Sequence, residues 1–296
     1  MRILLGIEGG IGKGIAATGA VRLAHEAGHE IDVMTAHPSV WEGNPHVDKV
    51  WDWQRVEYLG EAIKVYDRVI FDDPYRHTKF LLDGCDLTCT YNYMLNKICE
   101  PVKPEVYLNK AEHMYVQALL KDIEKPIFVV QTNGGSEAGY AWPRDLPLEE
   151  AVEILQPFVE DYEIIHLRGP NQLEIEGVKH VADLNLRQSL VVLAMSEKRL
   201  LIDSVYAHAA AALDLPSTVL WVMTEVEKFG YEMHTNILCN EPELKNMDRL
   251  DSMFKGLWNS TDACPFGPDQ KIFDTEKIIE SLQEVDETQD EEVIYP

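Results

Sequence analysis

The chain has 296 residues, 46% of them hydrophobic, and a formal net charge of −25. That length and apolar share allow one large domain or two of ordinary size, each with a real core. The charge works against duplex DNA and anionic lipid unless a basic patch is segregated, and no apolar run approaches the ~18 residues that a membrane helix needs.

The opening MRILLGIEGG does not read as a signal peptide, because its apolar run is short and Glu8 interrupts it. Strand and helix signals then alternate. The run 3–7 reads as a buried strand, and 15–27 as a helix whose Ala16, Ala17, Ala20 and Ala24 allow close packing on a sheet. Strands follow at 30–35, 47–53 and 67–73, with a short helix at 58–66. Such βαβ units imply a parallel sheet covered on both faces. Residues 74–109 show no clear period. They hold Cys85, Cys89 and Cys99 of the five cysteines, the others being Cys239 and Cys264. A single C-x3-C with no second pair does not make a four-ligand site, so no metal is expected. Cysteines so few and irregular point to a reducing, cytoplasmic setting. A helix over 110–123 ends at a Lys-Pro break, near 125. Alternation restarts with strands at 126–132, 163–169, 199–204 and 217–224. The helices between them lie at 146–161, 186–197 and 207–214, and a last one precedes the acidic tail EVDETQDEE. The expected domains are 1–124 and 125–283, with 284–296 a solubilising, disordered end.

The loop GIEGGIGKG admits three nucleotide-binding readings. A P-loop fails, because Gly14 follows Lys13 where a hydroxyl is needed and Ile7 stands where the first glycine belongs. A dinucleotide fingerprint fits loosely at Gly12-x-Gly14-x-x-Ala17, but the second strand ends without an acidic residue, and Asp32 lies inside it. The third reading is a glycine floor, Gly10 and Gly12 included, that lets a ligand approach the backbone beside a helix N-terminus. It requires a nucleotide site in the other half. There, Asp203 ends a strand, Ser204 suits a helix cap, and His208 follows one turn later. Free N–H groups at such a helix start suit a diphosphate. The plain alternative is that Asp203 and Ser204 only cap a helix and His208 is an ordinary surface or core histidine.

The chain resembles the heptosyltransferase-like glycosyltransferases, which include ADP-heptose:lipopolysaccharide heptosyltransferases. The resemblance lies in MRILLGIEGGIGKGIAATGAVRLAHEAGHEIDVMT, NPHVDKVWDW, PIFVVQTNGG with AWPRDLPLEEAVEIL, and the D-S-x-x-x-H segment RLLIDSVYAHAAAALDLPSTVLWVMT. It covers roughly residues 1–224. It implies an α/β GT-B fold, two Rossmann-like doubly wound domains facing across a cleft. Donor binds the C-terminal domain and acceptor the N-terminal one, the transfer inverts the anomeric centre, and neither cofactor nor metal is needed beyond the nucleoside-diphosphate sugar. Carried onto this chain, Asp203 and His208 match the donor-binding pair, Thr224 a strand-closing threonine, and Thr132 and Ser136 the phosphate loop.

Two positions depart from the family. Lys13 stands where an aspartate base is usual, and Tyr140 where a lysine often precedes the Trp-Pro. A protonated lysine cannot accept the acceptor's proton unless strongly desolvated, though it can neutralise phosphate. The reading that covers both departures makes Glu8 the base and gives Lys13 the charge that Tyr140 lacks.

On the acceptor side, Arg76, His77 and Lys79 cluster in PYRHTK and could hold a phosphate, or simply form a solvated loop. Tyr91 and Tyr93 read as core more than as stacking platforms. The expected activity is transfer of a sugar to a saccharide or lipopolysaccharide-type acceptor by a monomer or weak oligomer. Three alternatives stand beside it: a viral-type transferase acting on modified DNA bases, which the charge disfavours; a sugar-nucleotide-binding protein that has lost the chemistry; and an NAD-dependent oxidoreductase.

Overall fold

A computed structural model describes residues 1–55, 60, 63–134, 140–169, 171–179, 184–240, 266–267 and 269–284. Ser136, Cys264 and the acidic tail beyond Glu284 lie outside them. Two parallel sheets organise the chain. The first joins β1 (Arg2–Ile7), β2 (Glu30–Thr35), β3 (Lys49–Asp52) and β4 (Arg68–Ile70) in the order β3-β2-β1-β4. The second joins β5 (Ile127–Val130), β6 (Glu163–His166), β7 (Lys198–Ile202), β8 (Thr218–Trp221) and β9 (Thr235–Leu238) in the order β6-β5-β7-β8-β9. In each sheet the strand order reverses once, beside β1 in the first and β5 in the second. Ligands of such sheets bind beyond the carboxyl ends of the strands at that reversal. Here those ends are Glu8–Gly10 and Asp72–Asp73 in one sheet, and Gln131–Gly134 and Asp203–Ser204 in the other.

The helices are α1 (Ile11–Glu26), α2 (Thr78–Leu81), α3 (Leu87–Asn96), α4 (Lys110–Leu119), α5 (Leu148–Leu155), α6 (Leu186–Met195), α7 (Val205–Ala212), α8 (Val226–Phe229) and α9 (Thr275–Glu284). Helix α1 starts at Ile11, four residues before the sequence expectation, with Gly10 as its cap. The turn is therefore only Glu8-Gly9-Gly10, and Gly9 makes it possible at φ +97°. Lys13 consequently projects from the first helical turn. Helix α3 and strand β9 went unread in the sequence, the first because Thr88, Cys89, Thr90, Tyr91 and Asn92 are all buried and leave no polar face.

One apolar cluster runs from Ile3 and Leu5 of β1 through Ala16 and Ala20 of α1 to Ala209 of α7 and Val219 of β8. The two sheets thus share a core at the junction, where α1 packs on α7. A second cluster, with Phe128, Leu200, Ile154 and Ile278, covers the far face of the second sheet under α5 and α9. An ion pair and charged hydrogen bonds also tie the halves together. Arg187, 5% exposed, donates through Nε and Nη2 to the Glu112 carboxylate at 2.7 and 2.8 Å. Lys228 donates to the carbonyls of Phe80 (2.6 Å) and Cys85 (3.1 Å).

Small residues on α1 are a packing requirement. A Cβ at Gly19 would sit 2.2 Å from the Lys103 carbonyl oxygen, a backbone atom that cannot rotate away. Gly19→Ala is therefore expected to lose ~1–3 kcal/mol by overpacking, read as a lower urea midpoint at unchanged m-value.

Candidate active site

The two strand-order reversals face each other across a cleft of about 790 Å³. Gly10, Gly12, Lys13, Asp73 and Arg76 line its first-sheet side. Asn133, Arg144, Arg168, Asp203, Ser204 and His208 are among those on the other. The walls meet closely at Gly12, where an added Cβ would lie 2.7 Å from the His208 ring.

Helix α7 opens at the end of β7. Ser204 is its cap, with the side-chain oxygen accepting from Tyr206 N (3.2 Å), and its hydroxyl also donates to Gln131. The unpaired N–H groups of the first turn therefore face the cleft with the positive end of the dipole. Asp203 is 6% exposed and accepts from Thr224 Oγ1, with Arg144 Nε 3.6 Å from Oδ2. His208 Nδ1 lies 2.7 Å from the Tyr231 hydroxyl, which leaves Nε2 turned toward Gly12. Burial is the main cause that pushes the His208 pKa down to about 4, so the ring is neutral near pH 7; Asp203 opposes the shift and His234 and Arg144 add to it.

On the opposite wall, Lys13 Nζ donates to Asp73 Oδ1 at 2.9 Å and lies over the Tyr75 ring, 4.0 Å from its centroid. Asp73 Oδ1 also caps the short 3-10 turn Pro74–Arg76 by accepting from Tyr75 N (3.2 Å). A second cavity of about 820 Å³ adjoins the cleft and is lined by Glu8, Lys13, Asp72, Asp73, Arg76 and His77, among others. Lys13, Asp73 and Arg76 line both cavities, so they stand at the boundary between them.

The expected site residues thus divide. Gly10, Gly12, Lys13, Arg76, Asp203, Ser204, His208 and Thr224 line the cleft. Glu8 lines only the adjoining cavity, beside His77. Thr132 is turned inward, fully buried, with its hydroxyl 2.8 Å from His166 Nε2, while its neighbours Gln131 and Asn133 face the cleft. Tyr140 is 45% exposed and outside the cleft lining. Lys79 lines neither cavity and pairs with Asp83 at 2.7 Å. Tyr91 is buried in the core, and Tyr93 packs on His77. Asp73, Arg144, Arg168 and Tyr231 escaped the sequence reading. Asp73 closes the fourth strand run and Arg144 follows the Trp-Pro, so both carried a signal. Tyr231 carried none, since only packing brings it to His208.

No protein-family model and no curated protein sequence matches the chain. Solved structures do. A glycosyl transferase of family 9 from Veillonella parvula superposes with a TM-score of 0.71 at 11% identity, over 96% of this chain and 96% of that one. The E. coli ADP-heptose lps heptosyltransferase II gives 0.62 at 14% identity, over 87% and 97%. The dodecameric, iron-containing glycosyltransferase TibC of E. coli gives 0.63 at 9% identity, over 99% and 80%. The chain has the GT-B fold of the heptosyltransferase-like glycosyltransferases. Within that GT-B frame the second sheet carries the cleft-facing start of α7, and the first carries the Lys13–Asp73 pair. The dinucleotide reading loses its ribose partner as well, because Asp32 is buried in β2 and accepts from Arg2 Nη2 (2.9 Å) and the Tyr66 hydroxyl.

Proposed function

We propose that the chain is an inverting, metal-independent glycosyltransferase that moves a sugar from a nucleoside-diphosphate donor to a hydroxyl of a saccharide-type acceptor. The observation that carries this reading is that a carboxylate, Asp73, lines both the cleft between the two sheets and the adjoining cavity. The α7 start and Arg144 would hold the diphosphate and stabilise the charge that develops on it as the glycosidic bond breaks. A Tyr231 hydroxyl that donates to His208 Nδ1 leaves the ring proton on Nε2, aimed at the same anion. Leu167, Leu184 and Leu186 give the cleft an apolar wall suited to a nucleobase. The similar heptosyltransferase structures support an adenosine diphosphate as first choice.

The acceptor would enter the second cavity, where Arg76 and His77 could meet a phosphate and Glu8 and Asp72 sugar hydroxyls. Asp73 Oδ1 is engaged by Lys13 and Tyr75, so Oδ2 is the atom to take the acceptor's proton. This replaces Glu8 in the base role, since Glu8 does not reach the donor cleft. Lys13 would then orient the base, and Arg144 supplies the charge missing at Tyr140.

Thermal unfolding against ADP, UDP, GDP, an ADP-sugar and NAD, with and without magnesium, tests the reading. One nucleoside diphosphate at ~100 times its Kd is expected to raise Tm by about 2–4 °C, equally without magnesium. A shift with NAD alone, or only with magnesium, would overturn it.

A further inference from the structure

We propose that Cys85, Cys89 and Cys99 together bind one thiophilic metal ion of the zinc class, with a solvent molecule completing its shell. The site lies in the first domain, outside the lining of the cleft and of the adjoining cavity. The three sulfurs all fall within 4.8 Å of one another. Cys99 Sγ is 2.9 Å from Cys85 Sγ and 3.5 Å from Cys89 Sγ. A tetrahedral ion with Zn–S bonds of ~2.3 Å sets its sulfurs ~3.8 Å apart, so each has to move by less than ~1 Å.

The convergence is built by the fold. Cys85 precedes α3, Cys89 sits in its first turn, and Cys99 follows its end. Lys97 adopts a left-handed conformation at φ 62° and turns the chain back along the helix. The returning segment is then fixed by Asn92 Nδ2 on the Glu100 carbonyl (3.0 Å) and by Val102 N on Thr88 Oγ1 (3.2 Å). Spacing alone hides this, because the third cysteine returns only after a whole helix.

A cation accounts for all three thiols. A Cys85–Cys99 disulfide would account for two and leave Cys89 as a buried thiol with nothing to do. Binding breaks three S–H bonds, forms three metal–sulfur bonds and releases three protons to solvent. A divalent ion with three thiolates carries one net negative charge. Lys79, paired with Asp83, lies within electrostatic reach of Cys99, and the start of α3 presents its positive end to Cys89. Cys99 is exposed, which leaves one side for solvent. The bound ion would staple the segment after α2 to α3, at the point where Lys228 of the second domain donates to the Cys85 carbonyl.

The test is a cobalt(II) titration of the reduced full chain, together with the zinc content of protein purified from zinc-supplemented cells. The expected result is one metal per chain and a thiolate-to-cobalt charge-transfer band. Both should persist in Cys239→Ser and disappear in Cys99→Ser, whose exposed side chain can change without opening the core. Should Cys99→Ser fail to fold, alkylation of wild type decides: zinc is expected to shield Cys99, the exposed thiol of the three, and its removal by a chelator to restore the reaction. No thiolate–cobalt band in reduced wild type would overturn the proposal. So would a band that survives in Cys99→Ser, or a Cys85–Cys99 disulfide in protein that takes up no metal after reduction.

Discussion

Asp73→Asn is expected to lower turnover by ~10²–10⁴-fold, the usual worth of a general base, while affinity for the nucleoside diphosphate stays within a few-fold. The amide oxygen can still accept from Lys13 and from Tyr75 N, so the turn over Pro74–Arg76 keeps its cap. What is lost is the carboxylate charge, and with it the proposed base, at a position that lines both cavities. Single-turnover transfer, with nucleotide affinity measured on the same protein, separates loss of chemistry from loss of binding. Glu8→Gln serves as the comparison. Glu8 lines only the outer cavity, so its effect should fall on the acceptor KM and leave kcat within a few-fold. The reverse pattern, with Glu8→Gln inactive and Asp73→Asn active, would return the base to Glu8. Loss of nucleotide affinity in Asp73→Asn would instead make the carboxylate part of the donor site.

The difference between these two carboxylates shows what the sequence could carry. Strand runs such as 3–7, 30–35 and 199–204 are apolar and compact, and β1, β2 and β7 lie within a residue or two of them. Their order implied two parallel sheets, and the Asp203-Ser204-x-x-x-His208 spacing placed a cap and a histidine at one helix start. Both are local properties. Position across the cleft is not local. Glu8 and Asp73 each follow a strand of one sheet, and only the direction in which the backbone leaves β1 and β4 decides which carboxylate faces the second domain. The earlier start of α1 had the same consequence for Lys13, moving it from a loop onto a helix where it meets Asp73. Thr132 shows the limit on a smaller scale. It is next to two cleft-lining residues, yet the alternation along an extended segment turns it toward His166. The cysteine cluster was hidden for a third reason, since most of α3 lies between Cys89, in its first turn, and Cys99 along the chain and not in space.

His208 makes stability depend on pH in a defined window. An unfolded histidine titrates near ~6.5, whereas burial holds this one at about 4. Above the unfolded value neither state binds the proton, and the contribution is fully present. As pH falls below it, the unfolded chain takes up a proton that the folded chain refuses, so stability is lost progressively until the folded value is reached. Between pH 7 and 5 that loss is about 2 kcal/mol from this one ring. His234, buried and likewise pushed down, acts in the same direction. Urea unfolding of wild type and His208→Gln at both pH values isolates the first term. Wild type should lose about 2 kcal/mol more than the variant over that range. Equal losses would assign the effect to His234. The same titration bears on donor binding. A diphosphate beside Nε2 favours the protonated ring, so stabilisation by the bound nucleotide should grow as pH falls from 7 to 5. In His208→Gln that growth should disappear, whereas its persistence would place the anion away from the ring.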